Sequence, residues 1–342
     1  MQRAGRTGQA RSSPKSFVPE DDFFVIPLVD LRRDTFLTFD LHLPPINNGS
    51  PVLYRQRALT FSEEARCRLI ETGVKELYVP AAQRTDYLRY METNIRLALS
   101  DPSLTLDEKA QILYSTSCEM VRQFLEDPEQ PDLVPRTRDL VGAAVEHLLA
   151  ERNSFAAFLR TTSLDYRTYT HSVNVAMYTL HLAMRLGQTN PEMLEQIGIG
   201  TFLHDIGKSL VPAAILNKPG KLSAEEWDIM RKHSAWGHEI LVAHGITSPV
   251  VLSITQDHHE KLDGSGYPAG LKADDLTDYV RMTTICDIFD ALTTRRSYKD
   301  AVNSFSAFQI MKREMDGQLD PHFFDTFICM LHIDTHAPSS TE

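Results

Sequence analysis

Two regimes of hydrophobic patterning divide this chain. From Phe23 the apolar residues come in short β-prone runs, FFVIPLVDL, FDLHL and VLYRQ, and the Pro, Asn and Gly of PPINNGSP mark a turn between them. In LTFSEEARCRLIETGVKELYVP the spacing changes. Ser62 is placed to cap a helix carrying Ala65, Leu69 and Ile70, Gly73 to end it, and ELYVP reads as another strand. Long helical patterns follow through Leu99, from about Leu106 to Leu125 and from about Pro135 to Leu149, broken at DPS and DPEQPD. After residue 150 nearly every segment reads as helix, interrupted by loops such as NKPGK and KLDGSGYPAG.

These patterns predict an α+β chain: a small N-terminal α/β module at 17–100, a helical connector at 101–149 and an all-α domain at 150–336. Residues 1–16 are rich in Gly, Ser and Arg with almost nothing apolar, so they cannot offset the entropy of being ordered and are expected to form a tail. Within the helical domain Ser223 and Glu226 have capping-box spacing just after PGKL, and the helix they start is expected to carry His233.

With 42% hydrophobic side chains the chain can bury a sizeable core. Its formal charge of −11 and pI near 5.6 exclude broad electrostatic binding to a nucleic acid polymer or anionic lipid, so an anionic ligand must meet local positive charge. No run approaches the roughly 18 to 20 apolar residues that span a bilayer, and no apolar stretch follows the basic opening residues; a cytoplasmic protein is expected. Cys67, Cys118, Cys286 and Cys329 form neither a CxxC pair nor a dense framework and read as reduced, mostly buried thiols.

Thirteen histidines are present, and five of them, His171, His204, His233, His258 and His259, fall in one stretch with Asp205 and Asp287. Imidazole with carboxylate suits transition metals such as Fe, Mn, Zn or Ni rather than calcium. Each piece alone has a plainer reading. His171 precedes a helix apolar on two sides and points inward, as a ligand or as a buried histidine bonded to a neighbour. Asp205 follows His204 in GIGTFLHDIGK, where a carboxylate needs a nearby cation or several donors, or caps the next turn. His258 lies in line with Val251 and Ile254, and His259 is rotated about 100° from it, so both serve metals only near a helix end, which the following glycines and Pro268 supply. Asp287 and Asp290 share a helical face, and the local sequence does not separate metal binding from pairing with Arg295, Arg296 or Lys299.

Taken in order, His171, HDIGK from His204 to Lys208, KHSAWG around His233, HHEKLDGSGYP from His258 to Pro268 and DIFDALTTRRSYK from Asp287 to Lys299 resemble the HD-GYP phosphodiesterases over roughly the last 190 residues. The resemblance implies metal ligands at His171, His204, Asp205, His233, His258, His259 and Asp287, with Asp205 bridging two ions and acting with Lys208 in catalysis. Lys208, Gly266, Tyr267, Arg296 and Lys299 would contact substrate, Gly264, Gly266 and Pro268 would shape the loop, and Asp290 and Asp263 would support the ligands from behind. Members with three metals carry a glutamate four residues before the first histidine. This chain has Arg167 there, so the resemblance implies a dinuclear centre of Fe or Mn, with Ni or Zn as alternatives. Ser234 stands where proline is common, and Arg295 where a shorter or acidic residue is frequent.

The implied activity is metal-dependent hydrolysis of the bacterial messenger cyclic di-GMP to linear pGpG, GMP or both. Competing readings keep the fold with another cyclic dinucleotide such as cyclic GMP-AMP or another nucleotide as substrate, or make the domain a non-catalytic module that binds cyclic di-GMP or docks on a diguanylate cyclase. The complete ligand set favours turnover over pure binding. Helical connectors before such domains often dimerise, so a homodimer is compatible with the resemblance.

Overall fold

The computed structural model describes residues 22–45, 50–151, 153–162, 167–294 and 301–335; the expected tail and the candidate residues Arg295, Arg296 and Lys299 lie outside them. Two compact units are present, one up to Met91 and the other from Glu92.

In the first unit, β1 (Phe23–Pro27), β3 (Leu41–Leu43), β4 (Val52–Arg55) and β6 (Glu76–Pro80) form an antiparallel sheet in the order β1-β6-β3-β4, while β2 (Thr35–Phe36) pairs with β5 (Thr60–Phe61). The period-two alternation sets the faces: Leu77 and Val79 point into a core with Ile26, Leu37, Phe39, Leu41 and Phe61. Between β5 and β6 runs α1 (Glu63–Glu71), capped by the Ser62 hydroxyl, which accepts from the Ala65 N–H, and terminated at Gly73 with φ of +75°. The unit boundary falls inside α2 (Arg84–Thr93).

The second unit is helical: α3 (Ile95–Ser100), α4 (Leu106–Glu126), α5 (Leu133–Ala150), α6 (Ser154–Thr161), α7 (Thr168–Arg185), α8 (Pro191–Phe202), a 3-10 segment at Ile206–Leu210, α9 (Ala213–Leu216), α10 (Ala224–Met230), α11 (His233–Ala243), α12 (Pro249–Asp257), α13 (Asp278–Thr293), α14 (Ser304–Glu314) and α15 (Pro321–Thr335). The helices at the expected connector positions, α4 and α5, are packed into this unit, α4 against α6 and α7 and α5 against α8. Local signals set several starts: Thr105 with Glu108 in a capping box at α4, Asn190 with Pro191 at α8 and Ser248 with Pro249 at α12.

α7 is buried from Thr170 to Ala183, as its two apolar faces predict, and α13 packs along it. The expected placement of His233 on the helix started by Ser223 does not occur. The Ser223–Glu226 capping box forms, but α10 ends at Met230 and His233 opens α11 instead of riding on α10. Arg231 and Lys232 between them keep ψ near −18° and −15°, a tight turn that redirects the chain. The redirection lays α11 against the 3-10 segment, where Gly207 meets Gly237; a Cβ on Gly207 would stand 2.0 Å from the His233 carbonyl oxygen.

Candidate metal centre

Five elements converge on one buried point. His171 comes from the first turn of α7, His204 and Asp205 from the link between α8 and the 3-10 segment, His233 from the start of α11, His258 and His259 from the end of α12, and Asp287 from the middle of α13. α12 stops at Asp257, so His258 caps it and His259 follows beyond it, which lets neighbouring histidines face one site. His171, His204, Asp205, His233 and His258 are each 1% exposed or less.

Asp205 lies between two sets of histidines. Its Oδ2 is 3.6 Å from His171 Nε2 and 3.5 Å from His204 Nε2; its Oδ1 is 3.4 Å from His233 Nε2 and 3.8 Å from His258 Nε2. Asp287 is divided in the same way, with Oδ1 3.0 Å from His171 Nε2 and Oδ2 3.4 Å from His259 Nδ1. Two donor groups result, His171 with His204 and Asp287, and Asp205 with His233, His258 and His259.

The opposite ring nitrogens are tied down. His171 Nδ1 is 2.7 Å from Asp290 Oδ2, His204 Nδ1 2.6 Å from the Thr201 carbonyl, His233 Nδ1 2.7 Å from the Met230 carbonyl and His258 Nδ1 2.9 Å from the Thr255 carbonyl. Oxygen acceptors on Nδ1 hold the proton there and leave each Nε2 lone pair aimed at the centre, the arrangement that metal-ligating histidine uses. Burial lowers the pKa of His204, takes His258 to about 4 and His233 to about 3, so the imidazoles are neutral donors at neutral pH. Burial alone would raise Asp205, but the Lys208 ammonium, with Nζ 2.5 Å from Oδ2, and the surrounding histidines hold its carboxyl well below the usual range.

Divalent metal ions fit this donor set. His204 Nε2 and Asp205 Oδ1 are buried without a hydrogen-bond partner, a costly condition that metal coordination relieves.

The HHE and GYP elements form one rigid corner. Glu260, 1% exposed, accepts from the backbone N–H groups of Ala269, Gly270 and Leu271. Gly266 passes so close to the preceding turn that a Cβ would stand 2.4 Å from Glu260 Cα and 2.6 Å from the His259 carbonyl oxygen. Gly264 has φ of +80°, and the Tyr267–Pro268 peptide is cis. The Tyr267 ring leans on His259 with centroids 4.6 Å apart.

Asp290 stands behind His171, with Oδ2 at its Nδ1. Asp263 does not stand behind the donor groups. It is exposed, and its carboxylate accepts from the Ser265 N–H, closing the turn of its own loop rather than reaching a ligand. Three supports were not anticipated: Asn174, whose Nδ2 donates to Asp290 Oδ1 at 2.8 Å; Glu260; and Thr284, whose hydroxyl donates to the His258 carbonyl at 2.9 Å. Asn174 had a readable signal, an amide one turn after His171 inside an apolar helix.

The HD domain model matches residues 144–323, just over half of the chain. The chain belongs to the HD domain family. It is 32% identical over 274 residues to a cyclic di-GMP phosphodiesterase of Pseudomonas aeruginosa, an alignment covering 76% of this chain and 66% of that protein. With a 3′3′-cGAMP-specific phosphodiesterase of Vibrio cholerae it shares 42% identity over 157 residues, 46% of this chain and 29% of that one. The chain thus spans slightly less than two thirds of the first relative's length and under a third of the second's. Among solved structures, an HDG"Y"P protein from Bdellovibrio bacteriovorus superposes with a TM-score of 0.63 at 21% identity, covering 91% of this chain and all of that one; the shared HD fold is what this shows. Among the described residues of this HD domain protein, no helix is long and apolar enough to cross a membrane.

Proposed function

We propose that this chain is a metal-dependent phosphodiesterase that hydrolyses cyclic di-GMP to linear pGpG, GMP or both. The supporting observation is Asp205, whose two oxygens face two different pairs of imidazoles as a carboxylate shared by two ions would. His171, His204 and Asp287 would hold one ion and His233, His258 and His259 the other, with iron or manganese favoured by the mixed imidazole and carboxylate donors. Ions bound there would polarise phosphate oxygens and make water acidic enough to supply a nucleophile near neutral pH.

The protein's own part is placement and charge. Lys208 lies at the rim of Asp205, 13% exposed, and supplies a cation for a non-bridging phosphate oxygen; Arg296 and Lys299 would add two more. Local charge of this kind lets an acidic protein take a dianion. Tyr267 and Gly266 form the wall on the His259 side, and the packed apolar helices around the centre exclude competing solvent. The first unit offers no donor cluster of this kind among its described residues and reads as an accessory, sensory module.

A second reading, turnover of 3′3′-cGAMP, is favoured by the 42% identity with the Vibrio relative over 157 residues. Product analysis on protein loaded anaerobically with iron or manganese, with both cyclic dinucleotides and metal content counted in parallel, separates the two. Loss of cyclic di-GMP that needs metal and disappears in Asp205→Ala supports the proposal, whereas bound metal without turnover of either compound overturns it.

A further inference from the structure

An aromatic side chain outside the donor set stands at the edge of the site. Trp227 on α10 is 46% exposed, and its indole meets the Tyr267 ring at 76°, with centroids 6.4 Å apart. Tyr267 in turn leans on His259 at 4.6 Å and lies 6.4 Å from His233. A continuous run of rings therefore leads from the buried histidines to an indole in solvent. The edge-on contact with Tyr267 leaves a large, half-exposed apolar group facing water, a surface that a flat partner can cover. Arg231, one turn beyond Trp227, is ion-paired with Asp228 on the same helix turn.

Resting on the phosphodiesterase reading above, we propose that Trp227 is the stacking platform for a purine base of the substrate, the base next to the phosphate held at the metal centre. Indole offers the strongest π-face among side chains, and base stacking on it tolerates either purine. Selection between guanine and adenine would then fall to polar groups that meet the ring edge.

Trp227 and Trp236 are the two tryptophans of the chain, so Trp236→Phe leaves Trp227 as the single reporter. Cyclic di-GMP titrated into metal-depleted Trp236→Phe protein is expected to quench the emission saturably. Trp227→Ala in the loaded enzyme is expected to raise KM for cyclic di-GMP roughly 5- to 150-fold with kcat within about threefold and metal content unchanged, and Trp227→Phe to recover most of the loss. An unchanged KM in Trp227→Ala overturns the inference, as does a fall in kcat together with lost metal, which would make Trp227 a structural prop. Quenching without turnover would sink the phosphodiesterase reading and leave the base platform standing; turnover without quenching and without a KM effect would do the reverse.

Discussion

His171 and Asp290, 119 positions apart, are joined Nδ1 to Oδ2 at 2.7 Å, and the second Asp290 oxygen is held by Asn174. The carboxylate thereby fixes the tautomer and the tilt of the imidazole that opens the site. Asp290→Ala should leave a folded protein that binds metal about 10- to 100-fold more weakly, with Asn174→Ala giving a smaller effect in the same direction. Competition against a chelator of known affinity measures this, and wild-type affinity in Asp290→Ala would refute the orienting role.

Glu260 gathers three backbone N–H groups from the loop that carries Pro268 onward. Glu260→Ala leaves those partly buried donors without their carboxylate acceptor, at a cost of about 1–3 kcal/mol. Chemical denaturation should show that loss, and KM for the cyclic dinucleotide should rise because Tyr267 is no longer held. Unchanged stability would mean that water replaces the carboxylate at no cost.

Gly207→Ala places a methyl 2.0 Å from the His233 carbonyl oxygen and 2.5 Å from the Gly237 nitrogen, both backbone atoms of α11. Neither can swing aside, so the helix itself must retreat and take His233 with it. A destabilisation of roughly 3 kcal/mol or more is expected, at the upper end of overpacking costs, together with reduced metal stoichiometry. Calorimetry and metal counting on the same sample test both halves.

His181, on α7 away from the centre, is buried against Phe155 at 4.0 Å, and burial takes its pKa from 6.5 to about 4 while the Met177 carbonyl partly opposes the shift. Its folded state binds fewer protons than the unfolded one between those values. The associated stability is complete above pH 6.5 and is lost as pH falls toward 4, about 2 kcal/mol between pH 7 and pH 5. Unfolding of His181→Leu should start from a lower stability but decline less over that interval; parallel pH profiles would disprove the assignment.

Much of this was legible because local chemistry and tertiary structure agree. Ser62 and Gly73 delimit α1, Ser223 and Glu226 start α10, and the periodicity of Val251, Ile254 and His258 predicts that His258 faces inward at a helix end. What stayed hidden depends on meetings between distant segments. The break after Met230 becomes intelligible only once α11 is seen against Gly207, and the task of Glu260 only once the backbone nine to eleven positions later folds over it. Asp263 differs from what the resemblance implies because a side chain's direction is decided locally, here by the turn that its carboxylate closes with the Ser265 N–H.

The donors of the centre are drawn from segments that the chain reaches at widely separated times: the start of α7, the run-in to the 3-10 segment, the start of α11, the end of α12 and the middle of α13. An ion closing such a ring does to the unfolded ensemble what a cross-link does, forbidding the many conformations in which these stretches drift apart. The metal would then be a clasp on the helical unit as well as its chemistry, adding resistance to unfolding that grows with how tightly the ions are held.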